Sequence, residues 1–394
     1  MSRSSFDVAV LGLGAMGSAA AYHLAQRGLK VLGLDQYRLP HSLGSSHGHS
    51  RVIRKAYFEA PAYVPLLHRA YALWQQLEAD AGRRLLLRTG TLMIGPAESS
   101  VIQGTLASVR AHELPHEVLE ARELHRRYPP FRPDSDTIAV FEEIGGSLDA
   151  EACLECHLAL AAKLGCQLLT ETAVVGWEIS PSGTVRLDTS AGPFEASQLV
   201  LAAGPWSGTE IVLGRALPLE VVRKVVFWMK PEGDLESFSP ARFPIWVWAP
   251  AREEIFYGFP ALERPEPQGV KVGIHSGGAP CHPDRVERRT QPSDLQEMLR
   301  CLAPHLPSLA TQPLHSAVCL YTRTPDEHFI LGRHPEMPQV LLAAGFSGHG
   351  FKFAPVVGEV LADLATEGVT SHPIDLFSPG RFRQEKPSET PPFP

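Results

Sequence analysis

The sequence predicts an α/β fold of two domains, the first assembled discontinuously and the second built on a mixed β-sheet. Three observations carry this. Residues 6–11, "FDVAVL", lead through Gly12-Leu-Gly-Ala-Met-Gly17 into the helical pattern "SAAAYHLAQRG", which reads as strand, glycine turn and helix. The same plan returns in "QLVLAAGPW" at 198–206 and in "QVLLAAGFSGHGFKFAPVVGEVLADLA" from Gln339. Between these returns, residues 218–324 hold "VRKVVFWM", "FPIWVWAP", "EIFYGFP" and "GVKVGIHSG", the short or alternating apolar runs of a second sheet.

At 394 residues the chain is too long for one simple core. With 44% hydrophobic and 20% charged residues it reads as an ordinary globular protein, and a net charge of -7 offers no basic excess for nucleic acid. Six cysteines are too sparse for a disulfide framework, and no secretory signal is read at the N-terminus, so a reducing, cytoplasmic location is expected. No run of 18 apolar residues exists, so no membrane span is expected. The Pro-rich ending "RQEKPSETPPFP" lacks a Ser-Lys-Leu signal and is expected to be a disordered tail.

The first element has a physical task at each glycine. Gly12 permits the tight turn, Gly14 lets a pyrophosphate approach the backbone, and Gly17 lets the helix pack closely on the strand. The helix N-terminus then offers free N–H groups to phosphate. The next strand, "KVLGLD", ends at Asp35, 18 residues past Gly17, where a carboxylate accepts from unphosphorylated ribose hydroxyls. FAD or NAD is thus favoured over NADP. Beyond Asp35 lies "LPHSLGSSHGHSRVIRKAY", a loop without helical period that can line a cofactor and carries Arg51, Arg54 and Lys55. Because a nicotinamide dehydrogenase would continue with further strand–helix units, the first domain reads as a Rossmann-like FAD-binding domain.

Residues 62–81 have helical spacing, and "LLLRTGTLMIG" reads as a strand opening a new region near residue 86. Another amphipathic helix is expected over 149–164. The resulting division is 1–85, 147–217 and 325–380 for the FAD domain, 86–146 and 218–324 for the substrate domain, and 381–394 for the tail. Cys153-Leu-Glu-Cys-His157 matches a haem-attachment string but falls inside a predicted helix, and no paired motif stands at metal-ligand spacing, so no metal is assigned. No G-x-S-x-G elbow appears, since Gly345-Phe-Ser-Gly is one residue short. Taken alone, Cys319 between Val318 and Leu320 reads as a small buried hydrophobe.

Four strings together, Gly12-x-Gly14-x-x-Gly17, "PHSLGSSHGHSRVIRKAY", "AVCLYTRTPDEHF" and "AAGFSGHGFKFAPVVGE", resemble the monomeric sarcosine oxidase and L-pipecolate oxidase family over roughly residues 6 to 380. The resemblance implies a monomeric two-domain flavoprotein that oxidises secondary amino acids with O2, giving imine and hydrogen peroxide. It also implies a covalent bond from Cys319 to the 8α-methyl carbon of FAD. Arg51 resembles the arginine beside the flavin ring, His47 a histidine near its dimethylbenzene edge, and Lys271 the lysine that serves oxygen. Arg54 and Lys352 resemble the pair that holds the substrate carboxylate, while Tyr257 and His275 resemble catalytic-pocket residues. Gly345 and Phe346 sit in the turn that passes the flavin. Trp246 stands at a substrate-pocket position where bacterial sarcosine oxidases tend to carry methionine, and Ser50 replaces a usual threonine on the cofactor side. Both changes bear on substrate choice.

Hydride leaves a carbon beside nitrogen only when the amine is neutral, because its lone pair stabilises the developing cation. Arg51, Arg54, Lys271 and Lys352 around the site would lower the bound amine's pKa by like-charge repulsion and desolvation, with no dedicated base required. Two other readings remain open from residues alone: an FAD-dependent dehydrogenase passing electrons to a carrier, and a non-catalytic flavin-binding redox sensor.

Overall fold

A computed structural model describes residues 5–209, 217–250, 254–264 and 268–382. Of the expected disordered tail 381–394, residues 383–394 lie outside them, while Arg381 and Phe382 instead close the short helical turn Pro379–Phe382, with Arg381 bonded to Asp326. Strand Ser5–Leu11 is central to an eight-stranded sheet, parallel to Val31–Leu34 on one side and to Gly192–Leu201 on the other. Gln167–Leu169 continues beyond Val31–Leu34, and Val340–Ala344 pairs parallel with the end of Gly192–Leu201. Val31–Leu34 and Val340–Ala344 are apolar and buried throughout because both faces are covered, as parallel sheets require.

Helix Ala15–Gln26 is buried almost all round. It packs between the sheet and helices Ala150–Lys163 and Ala354–Thr366, and its alanines permit the approach. At Gly358 an added Cβ would stand 2.6 Å from the backbone of Ala19. The glycine turn is as tight: Gly12 has φ +88, and a Cβ on Gly17 would lie 1.7 Å from the Gly12 carbonyl oxygen. Each task assigned to these two glycines is therefore a steric necessity.

The second sheet is mixed and nine-stranded. Its spine is the long pair Glu220–Pro231 and Leu309–Arg323, followed by Val270–Ile274, Phe256–Ala261, Ile245–Trp248 and Thr91–Pro96. One face packs on an aromatic core with Phe131, Trp248 and Phe256, closed by helix Pro292–His305. The other face turns toward the first sheet.

The structure differs from the sequence reading in three respects. "LLLRTGTLMIG" is two strands, Leu86–Arg88 and Thr91–Pro96, divided at Gly90, whose φ of +71 turns the chain. Leu86–Arg88 joins Ser50–Ile53 and Gly146–Asp149 in a separate three-stranded sheet, so the glycine- and serine-rich loop carries a strand of its own. Helices Ser100–His112, Ala121–Arg127 and Pro292–His305 were not read from the sequence. No helix among the described residues is long and apolar enough to cross a membrane, and no group of three or more potential metal ligands occurs among them.

Candidate active site

A cavity of about 850 Å³ runs from the Gly12 turn to the inner face of the second sheet. At one end Gly12, Gly14 and Asp35 line it. Asp35 is oriented by two backbone donors, Leu13 N at 2.9 Å and Tyr37 N at 2.9 Å. Ser46 Oγ accepts from Ala15 N at the helix start, and the Tyr37 and Trp206 rings, 5.5 Å apart, close this end. Gly17 does not line the cavity but packs beneath the turn.

In the middle stand His47, Ser50, Arg51, Lys271 and Cys319. Arg51 is held by three carbonyls, donating to Ser50 O at 2.8 Å, Ser45 O at 2.7 Å and His47 O at 2.6 Å. Lys271 Nζ donates to Gly48 O at 2.7 Å, Ser50 O at 2.9 Å and Ser50 Oγ at 3.0 Å. Burial, then Arg51, pushes the Lys271 ammonium well below the usual lysine range. Burial alone would raise the Cys319 thiol. The neighbouring His47 imidazole and the charges of Arg51 and Lys271 outweigh it and bring the thiol down to about 7. His47 Nε2 is buried without a hydrogen-bond partner among the described residues.

The far end holds Arg54, Lys352, Tyr257 and His275. Arg54 donates to Ala56 O at 2.6 Å and to Glu59 Oε2 at 2.8 Å. Burial would raise the Glu59 carboxyl, but Arg54, His349 and Lys352 hold it down at about 2. Lys352 Nζ donates to His349 O at 2.7 Å and toward Tyr57 Oη at 3.5 Å, and burial, then Arg54, lowers it to about 7. Gly345 and Phe346 line the cavity between the two ends.

Trp246 is a correction. Its indole lies on the opposite face of the strand, 5.9 Å from Phe131 and 5.5 Å from Phe256 between ring centroids, and takes no part in the cavity wall. Val247 and its cross-strand partner Tyr257 face the cavity instead, since neighbouring residues of a strand point to opposite sides. The sequence reading also missed Glu59 and Tyr321. The first stands five residues after Arg54, and the second lies two residues beyond Cys319 on the same face of the strand, a spacing that could have revealed it.

Glycines that leave the turn open, an oriented Asp35 and an imidazole with an unpartnered Nε2 beside an acidified thiol fit a flavin dinucleotide. Residues 7–364 match the family model described as FAD dependent oxidoreductase. The chain belongs to that family. It is 42% identical to the monomeric sarcosine oxidase of Streptomyces avermitilis, over 96% of this chain and 98% of that protein. It is 36% identical to the N-methyl-L-tryptophan oxidase of Salmonella arizonae, over 96% of this chain and 100% of that protein. Among solved structures, a point variant of NikD, an unusual amino acid oxidase essential for nikkomycin biosynthesis, superimposes in its open form with a TM-score of 0.85. That match is 26% identical and covers 97% of this chain and 99% of the other.

Proposed function

We propose that this protein is an FAD-dependent oxidase of secondary amino acids, N-methylated or cyclic, that yields imine and hydrogen peroxide. The carrying observation is that the Arg54 and Lys352 end opens into the same cavity as Arg51, Lys271 and Cys319. Relatives named as sarcosine and N-methyl-L-tryptophan oxidases support the reading. In this reading the strands around Gly12 and Val340–Ala344 carry the dinucleotide, regions 86–146 and 218–324 form the second domain, whose Val247 and Tyr257 wall the substrate chamber, and Arg54 and Lys352 reach that chamber from the first domain. The protein acts as a cytoplasmic monomer with O2 as acceptor, in keeping with its relatives named monomeric.

Bound FAD supplies the two-electron acceptor. The side chains supply position and charge. Arg54 and Lys352 receive the carboxylate in charge-assisted hydrogen bonds and so fix the α-carbon and nitrogen relative to the middle of the cavity. Arg51, Lys271 and Lys352 disfavour a bound ammonium, so the amine sheds its proton to solvent on entry. His275 and His349 are both held near 4, with burial the main cause, and are poor bases at neutral pH. Tyr257 and Val247 wall the chamber. The test is peroxide release over sarcosine, N-methylalanine, L-proline, L-pipecolate and N-methyltryptophan. Release with none of them would overturn the reading.

Cys319 holds the cofactor covalently through its sulfur in this proposal, because a thiol lowered to about 7 is substantially thiolate at neutral pH. The yellow colour should then stay with the polypeptide after acid precipitation. Cys319→Ser should release it to the supernatant. A parent protein whose colour washes out on denaturation would refute the bond.

A further inference from the structure

Lys224 is a buried cation with no part in the chemistry assigned to Arg51, Arg54, Lys271 and Lys352. It lies on strand Glu220–Pro231 directly opposite Cys319, in the row of that sheet that faces the cavity, and it lines the cavity at 7% exposure. Its ammonium makes a single hydrogen bond among the described residues, to the carbonyl of Ser276. Glu297 and Glu327 act on it only through space. An ammonium has three donors, and burying one with a single acceptor is costly unless a further acceptor arrives.

Its position relative to the carboxylate clamp is specific. The Arg54 guanidinium lies 4.8 Å from the centroid of Phe58. Phe58 and His275 stand 6.5 Å apart, His275 and Tyr321 5.8 Å apart, and Tyr321 lies 5.4 Å from the Lys224 ammonium. Arg54 and Lys224 thus end a row of three rings that all line the cavity. His275, held near 4 chiefly by burial, leaves the row neutral at pH 7. Both cations line one cavity, so a substrate held at Arg54 meets Lys224 only through an anion carried on a stem that passes these rings.

We propose that Lys224 is a specificity-determining residue that receives a second carboxylate, carried on the substrate's side chain, so that N-substituted dicarboxylic amino acids are preferred. The proposal rests on the amino-acid oxidase reading and names its substrate class. Burial, then Arg323, lowers the ammonium to about 8, which leaves it mostly charged at neutral pH and ready for such a partner.

The experiment compares kcat/KM for N-methyl-L-aspartate, N-methyl-L-glutamate and the one-carbon-longer homologue, each against its side-chain amide, with sarcosine as reference. At least one acid should exceed its amide by ~tenfold or more, the value of one charge-assisted contact. Lys224→Met keeps the stem, removes the charge and should abolish that ratio while leaving sarcosine turnover at the parental level. Lys224→Arg should retain part of the preference. Equal turnover of acid and amide by the parent would overturn the proposal. So would a Lys224→Met protein that loses sarcosine and dicarboxylate turnover equally, which would mean that Lys224 only pins the turn at Ser276. A shift of the resting flavin absorption in Lys224→Met would assign the ammonium to the cofactor and also overturn it. Failure of sarcosine and every other amino acid in the parent would instead bring down the oxidase reading itself.

Discussion

Lys271→Met should slow the return of yellow colour in air, after bleaching by substrate, by about 10²–10³-fold, while bleaching under nitrogen changes far less. The first electron passed to oxygen creates an anion where a neutral molecule stood, and a fixed cation nearby stabilises that step above all others. Lys271 is placed for it: buried to 3% exposure, with its ammonium 4.9 Å from the Phe259 ring centroid and 5.5 Å from that of Trp228. Burial and Arg51 favour the neutral amine, yet its three acceptors match the three donors of an ammonium, whereas a neutral amine has only two N–H groups. The charged form is the one the geometry holds. Stopped-flow absorbance separates the two half-reactions. Reoxidation as fast as in the parent, with reduction collapsed, would make Lys271 a substrate-side residue and move the oxygen site to Arg51.

What could be read from the residues was whatever local chemistry constrains tightly. A dinucleotide turn needs Gly12 and Gly17 because any Cβ there collides with backbone, and that demand is visible in one chain. Positions that depend on register were not visible. Trp246 and Val247 are neighbours, and only the pairing of Val247 with Tyr257 decides which of them meets the cavity; a one-residue slip exchanges the faces. Glu59 was missed for another reason, because a single acid after a basic loop is ordinarily solvated, and only the fold shows it buried against Arg54. Helix Pro292–His305 carries prolines at both ends, Pro292 in its first turn and Pro304 in its last, which obscure its period. Its Gln291 and Asp294 capping box was nevertheless present in the sequence.

Removing either cation of the clamp should raise KM for amino acids by about ten- to a hundredfold, because one charge-assisted contact to a carboxylate is worth on the order of 1.5–3 kcal/mol. An amine without a carboxylate should be affected far less. The two cations differ in a way that pH exposes. Arg54 already shares Glu59, so Arg54→Ala also strands a largely enclosed carboxylate and costs stability. Lys352→Met avoids that complication and serves as the cleaner variant. Because burial and then Arg54 hold Lys352 at about 7 in the free protein, it is charged below pH 7 and increasingly neutral above. A carboxylate favours its charged form, so binding above pH 7 must take up a proton. The Kd of a simple carboxylate inhibitor should therefore be flat below pH 7 and rise above it, by up to about tenfold per pH unit. His275 and His349, both held near 4, do not titrate in that window, whereas Lys224, lowered to about 8 chiefly by burial, does, so both measurements are made in a Lys224→Met background. In Lys352→Met the inhibitor should bind more weakly at pH 6, with the rise above pH 7 gone. A parent whose Kd is level from pH 6 to 9, or a variant that keeps the slope, would remove Lys352 from the clamp and leave Arg54 as its only cation.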